Sequence, residues 1–419
     1  MRPSHQERPA VEVVNFGCRV NLVEGEALRH AALAQGRTNL TIINSCAVTA
    51  EAARQARQTI RQLKRAAPER EIFVTGCAAQ IDPSAFAAMP EVTRVLGNAE
   101  KTQAASFAAE QSARVAVGDI FARKEADLPS LAGVENHSRA FLAIQTGCDH
   151  RCSFCIIPFG RGASRSMPLP QLQEAVARCL DKGFREIVLT GVDLTSYGKD
   201  LLGAPNLGQA VKLILAAAPD LARLRLSSID CIEADADLCD AMATAPRLMP
   251  HLHVSLQSGD NMILKRMKRR HTRADAIGFC ATLRRARPDI VFGADLIAGF
   301  PTETDAMFEN TLTLVEECGL THLHVFPFSP RPGTPAAKMP QLDAALVKER
   351  ARRLREAGEK ALRHHLDVQI GKRLKLLCER GGIARAEDFT KVRIAGVEAG
   401  AVVEREIMGH DGEMLTASG

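Results

Sequence analysis

Three cysteines lie close together on one short segment, TGCDHRCSFCIIP, in the spacing C-x-x-x-C-x-x-C. They are Cys148, Cys152 and Cys155. Three thiolates on a tight loop can bind three irons of a cubane iron–sulfur cluster and leave the fourth iron open. Zinc is the alternative, with His150 or a distant residue as fourth ligand, although zinc sites usually show paired C-x-x-C elements. The spacing favours the cluster, whose open iron can chelate a ligand that carries an amine and a carboxylate.

Three further cysteines, Cys18, Cys46 and Cys77, are spread along the first part of the chain at intervals of 28 and 31 residues. Each follows a short apolar run that is typical of a strand. The carboxyl ends of strands in an open α/β sheet line one crevice, so we expect the three thiols to converge there. One such cysteine would more often be a core residue. Three at equivalent positions predict a second, three-cysteine iron–sulfur cluster.

Strand and helix patterns alternate through most of the chain and must position these cysteines. Residues 10–122 predict a parallel α/β sheet domain, followed by a linker at 123–138. Residues 139–366 contain six β/α units and predict a partial (β/α)6 barrel, whose working face is the carboxyl end of its strands. Short alternating runs punctuated by glycine in residues 367–419 predict a small β-barrel. The fold class is therefore α/β with a terminal β module.

The composition is that of a globular protein outside the membrane, with 46% hydrophobic and 25% charged residues among 419. No apolar run is long enough for a membrane span, and the polar start lacks a secretory signal, so we expect a cytoplasmic protein. Disulfides are not expected there. The net charge of +5 is small, but the segments 264–273 and 347–366 concentrate cations, which weakly favours nucleic acid as a partner. Packing is the role we assign to the other six cysteines, Cys179, Cys231, Cys239, Cys280, Cys318 and Cys378.

The cysteine loop at the end of a barrel strand, with Phe154 before its last cysteine, resembles the radical S-adenosylmethionine superfamily. In that superfamily the cluster cleaves S-adenosylmethionine to a 5′-deoxyadenosyl radical, and an aromatic residue at the position of Phe154 lies beside the adenine. Together with the second cysteine set and the terminal β module, nearly the whole chain resembles the methylthiotransferase family. The resemblance implies two [4Fe-4S] clusters. An auxiliary cluster on Cys18, Cys46 and Cys77 carries the sulfur, and a radical-generating cluster binds Cys148, Cys152 and Cys155.

The residues after the first cysteine, Gly17-Cys18-Arg19-Val20-Asn21, resemble one branch of this family. That branch acts on threonylcarbamoyladenosine next to the anticodon of tRNA and typically reads Gly-Cys-Lys-Val-Asn. The resemblance implies methylthiolation of C2 of that nucleoside, an RNA-binding TRAM-like domain at residues 367–419, a flavodoxin- or ferredoxin-type electron donor and a sulfur source. One departure is Met167, where many members of the branch have a basic residue.

The resemblance also implies contacts to S-adenosylmethionine or the nucleoside at several barrel strand ends. The candidates are Phe154, Thr190, Gly191, Val192, Asp193, Ser228, Gln257 and Asp295. The segment ADLIAGFPTET resembles the adenine-contacting segment of the superfamily. Arg161 and Arg165 are candidates for a phosphate or a substrate carboxylate, because arginine binds both in a bidentate manner. The alternative for the strand-end residues is a cap or turn, and for the two arginines it is a surface ion pair.

Two other functions remain open from the sequence. One is a methylthiotransferase of another branch, acting on isopentenyladenosine in tRNA or on an aspartate of a ribosomal protein. The other is a non-catalytic iron–sulfur protein that binds RNA or transfers electrons. The latter would release neither methionine nor 5′-deoxyadenosine from S-adenosylmethionine, so this assay separates the classes.

Overall fold

The computed structural model describes residues 9–108, 113–126, 128–129, 133–134 and 136–419. These residues form two compact units. The first unit contains the described residues before 132, together with 146–150 and 155–165. All other described residues belong to the second unit.

The first unit is built on a five-stranded parallel sheet in the order β1-β2-β3-β4-β5. This confirms the predicted α/β layout of the N-terminal region. Its strands are β1 (Val11–Asn15), β2 (Leu40–Ser45), β3 (Glu71–Gly76), β4 (Arg94–Leu96) and β5 (Val115–Ala116). Its helices are α1 (Arg19–Ala34), α2 (Ala50–Ala66), α3 (Cys77–Ile81), α4 (Pro83–Ala87) and α5 (Ile157–Arg161). β2 is buried along its whole length, as expected for a central strand covered on both faces.

The second unit contains the predicted partial barrel. Two parallel sheets form it, in the orders β10-β9-β6 and β11-β12-β13-β14. The strands of these two sheets are β6 (Ala140–Ala143), β9 (Glu186–Thr190), β10 (Arg223–Leu226), β11 (Ser228–Ile229), β12 (His251–Gln257), β13 (Val291–Ala298) and β14 (Leu320–Pro327). The two-residue strands β7 (Gln145–Thr146) and β8 (Arg165–Ser166) belong to neither sheet, and each has one residue in either unit. The helices are α6 (Leu169–Asp181), α7 (Leu207–Ala217), α8 (Ala236–Thr244), α9 (Asn261–Arg266), α10 (Arg273–Ala286), α11 (Asp305–Glu317) and α12 (Ala344–Asp367). All six predicted strands are present, but two of them are divided, into β6 with β7 and into β10 with β11. Among the described residues, no helix combines the length and apolarity that a membrane span needs.

A closed five-stranded β-barrel follows α12, in the order β15-β16-β17-β19-β18. Its strands are β15 (Arg373–Cys378), β16 (Ile383–Ala386), β17 (Lys391–Arg393), β18 (Val402–His410) and β19 (Leu415–Ala417). Leu376, Val392, Ile407 and Leu415 fill its interior, and Leu366 of α12 joins them. The small terminal β-barrel is therefore confirmed. The sequence patterns indicated β15, β17 and β18, and they did not indicate β16 and β19.

The loop between β16 and β17 docks on the amino-terminal ends of the large-barrel strands, within the second unit. The Phe389 ring stacks on His251 at the start of β12, with ring centroids 5.0 Å apart. The Arg225 guanidinium lies 5.2 Å from the same ring and donates to the Glu387 carbonyl at 3.0 Å. Arg225 also pairs with the buried carboxylate of Glu186 at 2.9 Å. These contacts hold the small barrel at the end of the strands opposite to the predicted working face.

Candidate iron–sulfur and S-adenosylmethionine site

The cysteines of the N-terminal set lie at neighbouring strand ends in the first unit. Cys46 directly follows β2, Cys77 directly follows β3 as the first residue of α3, and Cys18 follows β1 by three residues as the cap of α1. Cys46 and Cys77 are buried, whereas Cys18 is exposed. Burial is the main cause that raises the pKa of the Cys46 thiol to about 11, and the charges of Cys77 and Cys18 add to it. The three thiols are therefore near enough to influence each other's ionisation.

Two glycines allow this convergence. Gly17 has a φ of +93°, and a Cβ atom on it would lie 2.6 Å from Cys46 Sγ. Gly76 has a φ of +92°, and a Cβ there would clash with the Ser45 backbone of the neighbouring strand. Only glycine adopts this left-handed conformation at low cost and leaves the space empty. The Gly-Cys dipeptide is thus a sequence signal for a cysteine that turns back over the sheet edge.

A buried ionic cluster lies against Cys77 within the same unit. The Arg161 Nε donates to Cys77 Sγ at 3.2 Å, and its Nη groups bind the carboxylate of Glu24 and the side-chain oxygen of Asn21. The Lys101 ammonium donates to Glu24 Oε2 at 2.7 Å, an oxygen that also accepts from Arg161. Burial alone would raise the pKa of Glu24, but the charges of Arg161 and Lys101 and their hydrogen bonds lower it to about 2.

The charges in this cluster do not cancel. Among the residues that the structure describes, the buried cations Arg161 and Lys101 pair with one carboxylate, that of Glu24, and one positive charge is left beside Cys77. A buried charge needs a partner, and thiolates or the iron–sulfur cluster that they bind would supply the missing negative charge. The donor set at Cys18, Cys46 and Cys77 therefore fits an anionic iron–sulfur cluster.

The structure places Arg161 and Arg165, the candidates for a phosphate or a substrate carboxylate, in the interior of the first unit. The side chain of Arg161 is 3% exposed and its guanidinium is engaged by Glu24, Asn21 and Cys77. Arg165 is also buried, and it donates to the Arg161 carbonyl at 2.9 Å and to the Arg123 carbonyl at 3.3 Å. The arginine-rich segment after the cysteine loop is therefore internal, and sequence spacing alone does not reveal burial.

The second set of cysteines lies on the loop between β7 and α5, and all three are half-buried. In the second unit, an Arg269 Nη lies 3.9 Å from Cys152 Sγ. Arg269 is paired with the Asp230 carboxylate at 2.8 Å and also donates to the Ser255 carbonyl at 2.7 Å. Burial by itself lowers the pKa of Arg269, but the charges of Asp230 and Cys152 raise it above its ordinary value. Sequence reasoning missed Arg269, because it lies in a cationic run that resembles a solvated helix face.

Phe154 lies against an apolar group in the second unit that includes Ile263, Ile297 and Phe300. Ile297 and Phe300 belong to the segment ADLIAGFPTET, so the structure brings these two predicted adenine-contacting features together. Gln257, at the end of β12, has a φ of +67°, next to a shift in strand register. Non-glycine residues in this conformation are strained and concentrate at functional sites.

The residues after β9 are organised by Gln145, which sequence reasoning did not identify. The Gln145 side-chain oxygen accepts hydrogen bonds from the backbone amides of Val192 and Asp193, at 2.9 and 2.8 Å. A Cβ on Gly191 would lie 2.9 Å from the same oxygen, so the loop packs directly on Gln145. Thr190, the last residue of β9, is buried. The backbone of the predicted methionine-contacting loop is thereby held in one conformation.

The other two candidates lie on neighbouring strands of the second sheet. Ser228 begins β11 in register with His253 of β12, and Asp295 of β13 accepts a hydrogen bond from His253 Nε2 at 2.9 Å.

Five of the six cysteines assigned to packing are buried, and Cys239 is half-buried. Cys179, Cys239 and Cys280 lie in helices, Cys378 lies in β15, Cys231 follows β11, and Cys318 is the C-cap of α11.

Comparisons with known proteins agree with this geometry. Residues 142–315 match the family model described as the radical SAM superfamily, and residues 10–97 match the one described as uncharacterized protein family UPF0004. The threonylcarbamoyladenosine tRNA methylthiotransferase MtaB of Rickettsia prowazekii is 47% identical over 399 residues, which cover 95% of this chain and 94% of that protein. The chain belongs to the radical S-adenosylmethionine tRNA methylthiotransferase family.

Other relatives of this methylthiotransferase are more distant. The tRNA-2-methylthio-N(6)-dimethylallyladenosine synthase of Novosphingobium aromaticivorans is 33% identical over 91% of this chain and 89% of that protein. The radical S-adenosylmethionine methyltransferase TsrM of Kitasatospora setae shares the fold, with a TM-score of 0.52 and 17% sequence identity. That match covers 74% of this chain and 66% of the TsrM chain. The predicted family is confirmed, and with it an enzyme that uses S-adenosylmethionine and a [4Fe-4S] cluster.

Proposed function

We propose that this methylthiotransferase replaces the C2 hydrogen of N6-threonylcarbamoyladenosine, next to the anticodon in tRNA, with a methylthio group. The observation that carries the substrate assignment is the 47% identity, along 95% of the chain, to a relative named for that nucleoside. Identity to the dimethylallyladenosine synthase is 33%. Modification of dimethylallyladenosine is the second candidate, and the nucleoside produced decides between the two.

Two cysteine sets divide the work in this proposal. Cys148, Cys152 and Cys155 hold the cluster that binds S-adenosylmethionine, while Cys18, Cys46 and Cys77 hold an auxiliary cluster. When bound, these groups supply the radical that breaks an unactivated C–H bond and the sulfur that replaces the hydrogen. Support for the auxiliary cluster comes from the uncompensated cation of Arg161 beside Cys77.

The protein's own side chains position and shield the reacting groups. Phe154, with Ile297 and Phe300, offers an apolar surface for the adenine of S-adenosylmethionine. Gln145 fixes the Val192 and Asp193 amides. The Thr190 and Asp193 carbonyls accept from the Ile144 and Ser196 amides, so the Gly191 and Val192 carbonyls between them are the ones proposed to bind the methionine amino group. Ser228 and Gln257 complete the proposed set of contacts to cofactor and nucleoside, and Asp295 belongs to the same region through its hydrogen bond with His253. Holding the reactants in a fixed geometry removes much of the entropic part of a barrier.

The small β-barrel is proposed to bind the tRNA backbone, as the sequence resemblance to a TRAM domain implies. Lys372, Lys375 and Lys391 are exposed on it and can contact phosphates. Its attachment through Phe389 fixes these cations relative to the large barrel. The reaction further requires a flavodoxin- or ferredoxin-type electron donor and a sulfur source.

Nucleoside analysis of tRNA tests this function. Deletion of the gene should remove 2-methylthio-N6-threonylcarbamoyladenosine from tRNA digests and leave its unmethylthiolated precursor. The wild-type gene should restore the product, and a gene that carries Cys148→Ala should not. An unchanged nucleoside profile would contradict the proposal, and loss of the dimethylallyladenosine product instead would favour the second candidate.

A further inference from the structure

Three polar side chains on adjacent strands form a group inside the partial barrel, which we call the His–Asp–His group. Its members are His253 of β12, Asp295 of β13 and His324 of β14. Asp295 Oδ1 accepts from His253 Nε2 at 2.9 Å and from His324 Nδ1 at 3.2 Å, and the two imidazole centroids are 4.4 Å apart. Burial opposes ionisation of Asp295, but these two hydrogen bonds hold the pKa of its carboxyl below the ordinary value.

The alternation of side chains along the strands places the His–Asp–His group on the inner face of the barrel. Side chains alternate between the two faces of a strand, and Leu323 of β14 lies on the α12 side, where a Cβ on Gly358 would meet it at 2.9 Å. His324 therefore faces the opposite, inner side. A Cβ on Gly293 would lie 2.6 Å from His253 Nδ1, so the absence of a side chain at Gly293 makes room for the imidazole. The glycine on the neighbouring strand β13 therefore allows His253 to take this position.

A second pair of histidines in the same lumen is buried and has a structural role, in contrast to His324. His251 and His322 lie two residues earlier on the same two strands, under the Phe389 ring of the small barrel. Burial lowers the pKa of His322 to about 4, which keeps its imidazole neutral. His324, in contrast, lies on the edge strand of its sheet with its side chain 63% exposed. The hydrogen bond from His324 Nδ1 to Asp295 fixes the orientation of the imidazole, and the Nε2 atom of His324 points away from Asp295.

We propose that His324, held by Asp295 and backed by His253, recognises the polar substituent on N6 of the target adenosine. This inference rests on the proposed function. A threonylcarbamoyl group carries a carboxylate, a hydroxyl and amide N–H groups, any of which can hydrogen-bond to an imidazole. A dimethylallyl group has no polar atom, and it would leave His324 without a partner. His324 is thus the specificity-determining contact, and Asp295 is its positioning residue.

Binding measurements on the full-length, cluster-reconstituted protein test this assignment. The two probes are one tRNA with threonylcarbamoyladenosine and the same tRNA with unmodified adenosine at that position. Loss of one hydrogen bond to a charged group should reduce the preference for the modified tRNA about ten- to a hundredfold in His324→Phe. Affinity for the unmodified tRNA should not change. His364→Phe, which replaces an exposed imidazole on α12, is the matched control and should keep the full preference.

A coupling measurement separates positioning from general damage. Asp295→Asn preserves shape but removes the charge that holds both imidazoles, so it should reduce the preference as His324→Phe does. Because both changes remove one contact, the double variant should lose no more than the larger single loss. Additive losses would contradict the positioning role of Asp295, and an unchanged preference in His324→Phe would overturn the proposal.

One further outcome would reassign the group. Two histidines and one carboxylate can also bind a divalent metal. Co²⁺ added to the full chain with all six cluster cysteines replaced by alanine would then give a visible absorption band, absent in His324→Phe. Such a band would overturn substrate recognition by His324, and its absence would support that recognition.

If tRNA digests show that the nucleoside modified is not threonylcarbamoyladenosine, the proposed function fails. If the digests support that function but His324→Phe keeps its preference, only this inference fails.

Discussion

The two cysteine sets are assembled in different ways. Cys148, Cys152 and Cys155 lie on one loop, so their spacing in the sequence already brings them near each other. Cys18, Cys46 and Cys77 come from three strand ends and meet only because β1, β2 and β3 are neighbours in a parallel sheet. The first set can exist as a local motif, whereas the second depends on the folded unit.

The arginines beside the two cysteine sets also differ in how they are paired with carboxylates. Arg269, near Cys152, pairs with Asp230, whose carboxylate also contacts Arg270, and Arg270 has a second carboxylate partner in Glu233. Arg161, near Cys77, shares Glu24 with Lys101 and retains an unbalanced charge. We infer that a bound negative group stabilises the N-terminal set more than it stabilises the loop set, where the nearby arginine already has a carboxylate partner. Changes at the cysteines, the neighbouring arginines, Glu24 and Gly17 can break or sharpen this contrast.

The largest effect is expected from removal of either whole set. Two cubanes give about eight irons per chain, so each triple alanine variant should retain about four. Cys148/Cys152/Cys155→Ala should release no 5′-deoxyadenosine from S-adenosylmethionine, because its radical-generating cluster is gone. Cys18/Cys46/Cys77→Ala should still release it but form no methylthio product. Iron analysis and product chromatography measure both, and four irons in the unaltered chain would contradict two clusters.

The cation beside Cys77 should determine the reduction potential of the auxiliary cluster. A positive hydrogen-bond donor at a ligand sulfur stabilises the reduced, more negative cluster, so Arg161→Met should lower that potential or abolish binding of the cluster. Arg269→Met is the matched change at the loop set. It should shift the other cluster less, because Asp230 already offsets the charge and the Nη–Sγ distance is longer. Redox titration followed by electron paramagnetic resonance compares them, and equal shifts would contradict the proposed difference in charge balance.

Glu24 should contribute much more to the free energy of unfolding of the first unit than a surface carboxylate does. Glu24→Gln leaves Lys101 and Arg161 buried without an opposite charge, at a cost of about 3–5 kcal/mol in the free energy of unfolding. Denaturant unfolding of the cluster-free protein measures this cost. Glu51→Gln is the control, because Glu51 pairs with Arg54 on the surface, and the control should change stability by less than about 1 kcal/mol.

The same carboxyl predicts a pH dependence. The pKa of Glu24 lies at about 2 in the folded protein, below its ordinary value of 4.5. A lowered carboxyl pKa contributes stability above the unfolded-state pKa and loses it as the pH falls through the folded-state value. The unaltered chain should therefore lose about 3 kcal/mol between pH 5 and 2 that Glu24→Gln does not lose. Parallel loss in both chains would show that Glu24 is not responsible.

Sequence patterns predicted the sheets, the partial barrel and the terminal β-barrel, because hydrophobic periodicity and local turn residues determine them. They did not predict the partners of Arg161, which is separated by 137 residues from Glu24. Gln145, Arg269 and His324 were missed for the same reason, since their roles come from contacts across strands and loops. The Gly-Cys dipeptides at Gly17 and Gly76 are the local signal that could have revealed how the N-terminal thiols turn toward each other.

The smallest expected effect tests that signal directly. Gly17→Ala places a methyl group 2.6 Å from Cys46 Sγ on a backbone with φ of +93°, so it combines a clash with left-handed strain of about 1–2 kcal/mol. Gly36→Ala isolates the strain, because Gly36 has a φ of +70° and no heavy atom within 4 Å of the added Cβ. Both variants should lose stability, but only Gly17→Ala should also bind less auxiliary iron. Equal iron in the two would mean that the close approach of Gly17 to Cys46 does not shape the site, and that the N-terminal thiols tolerate rearrangement as readily as a loop.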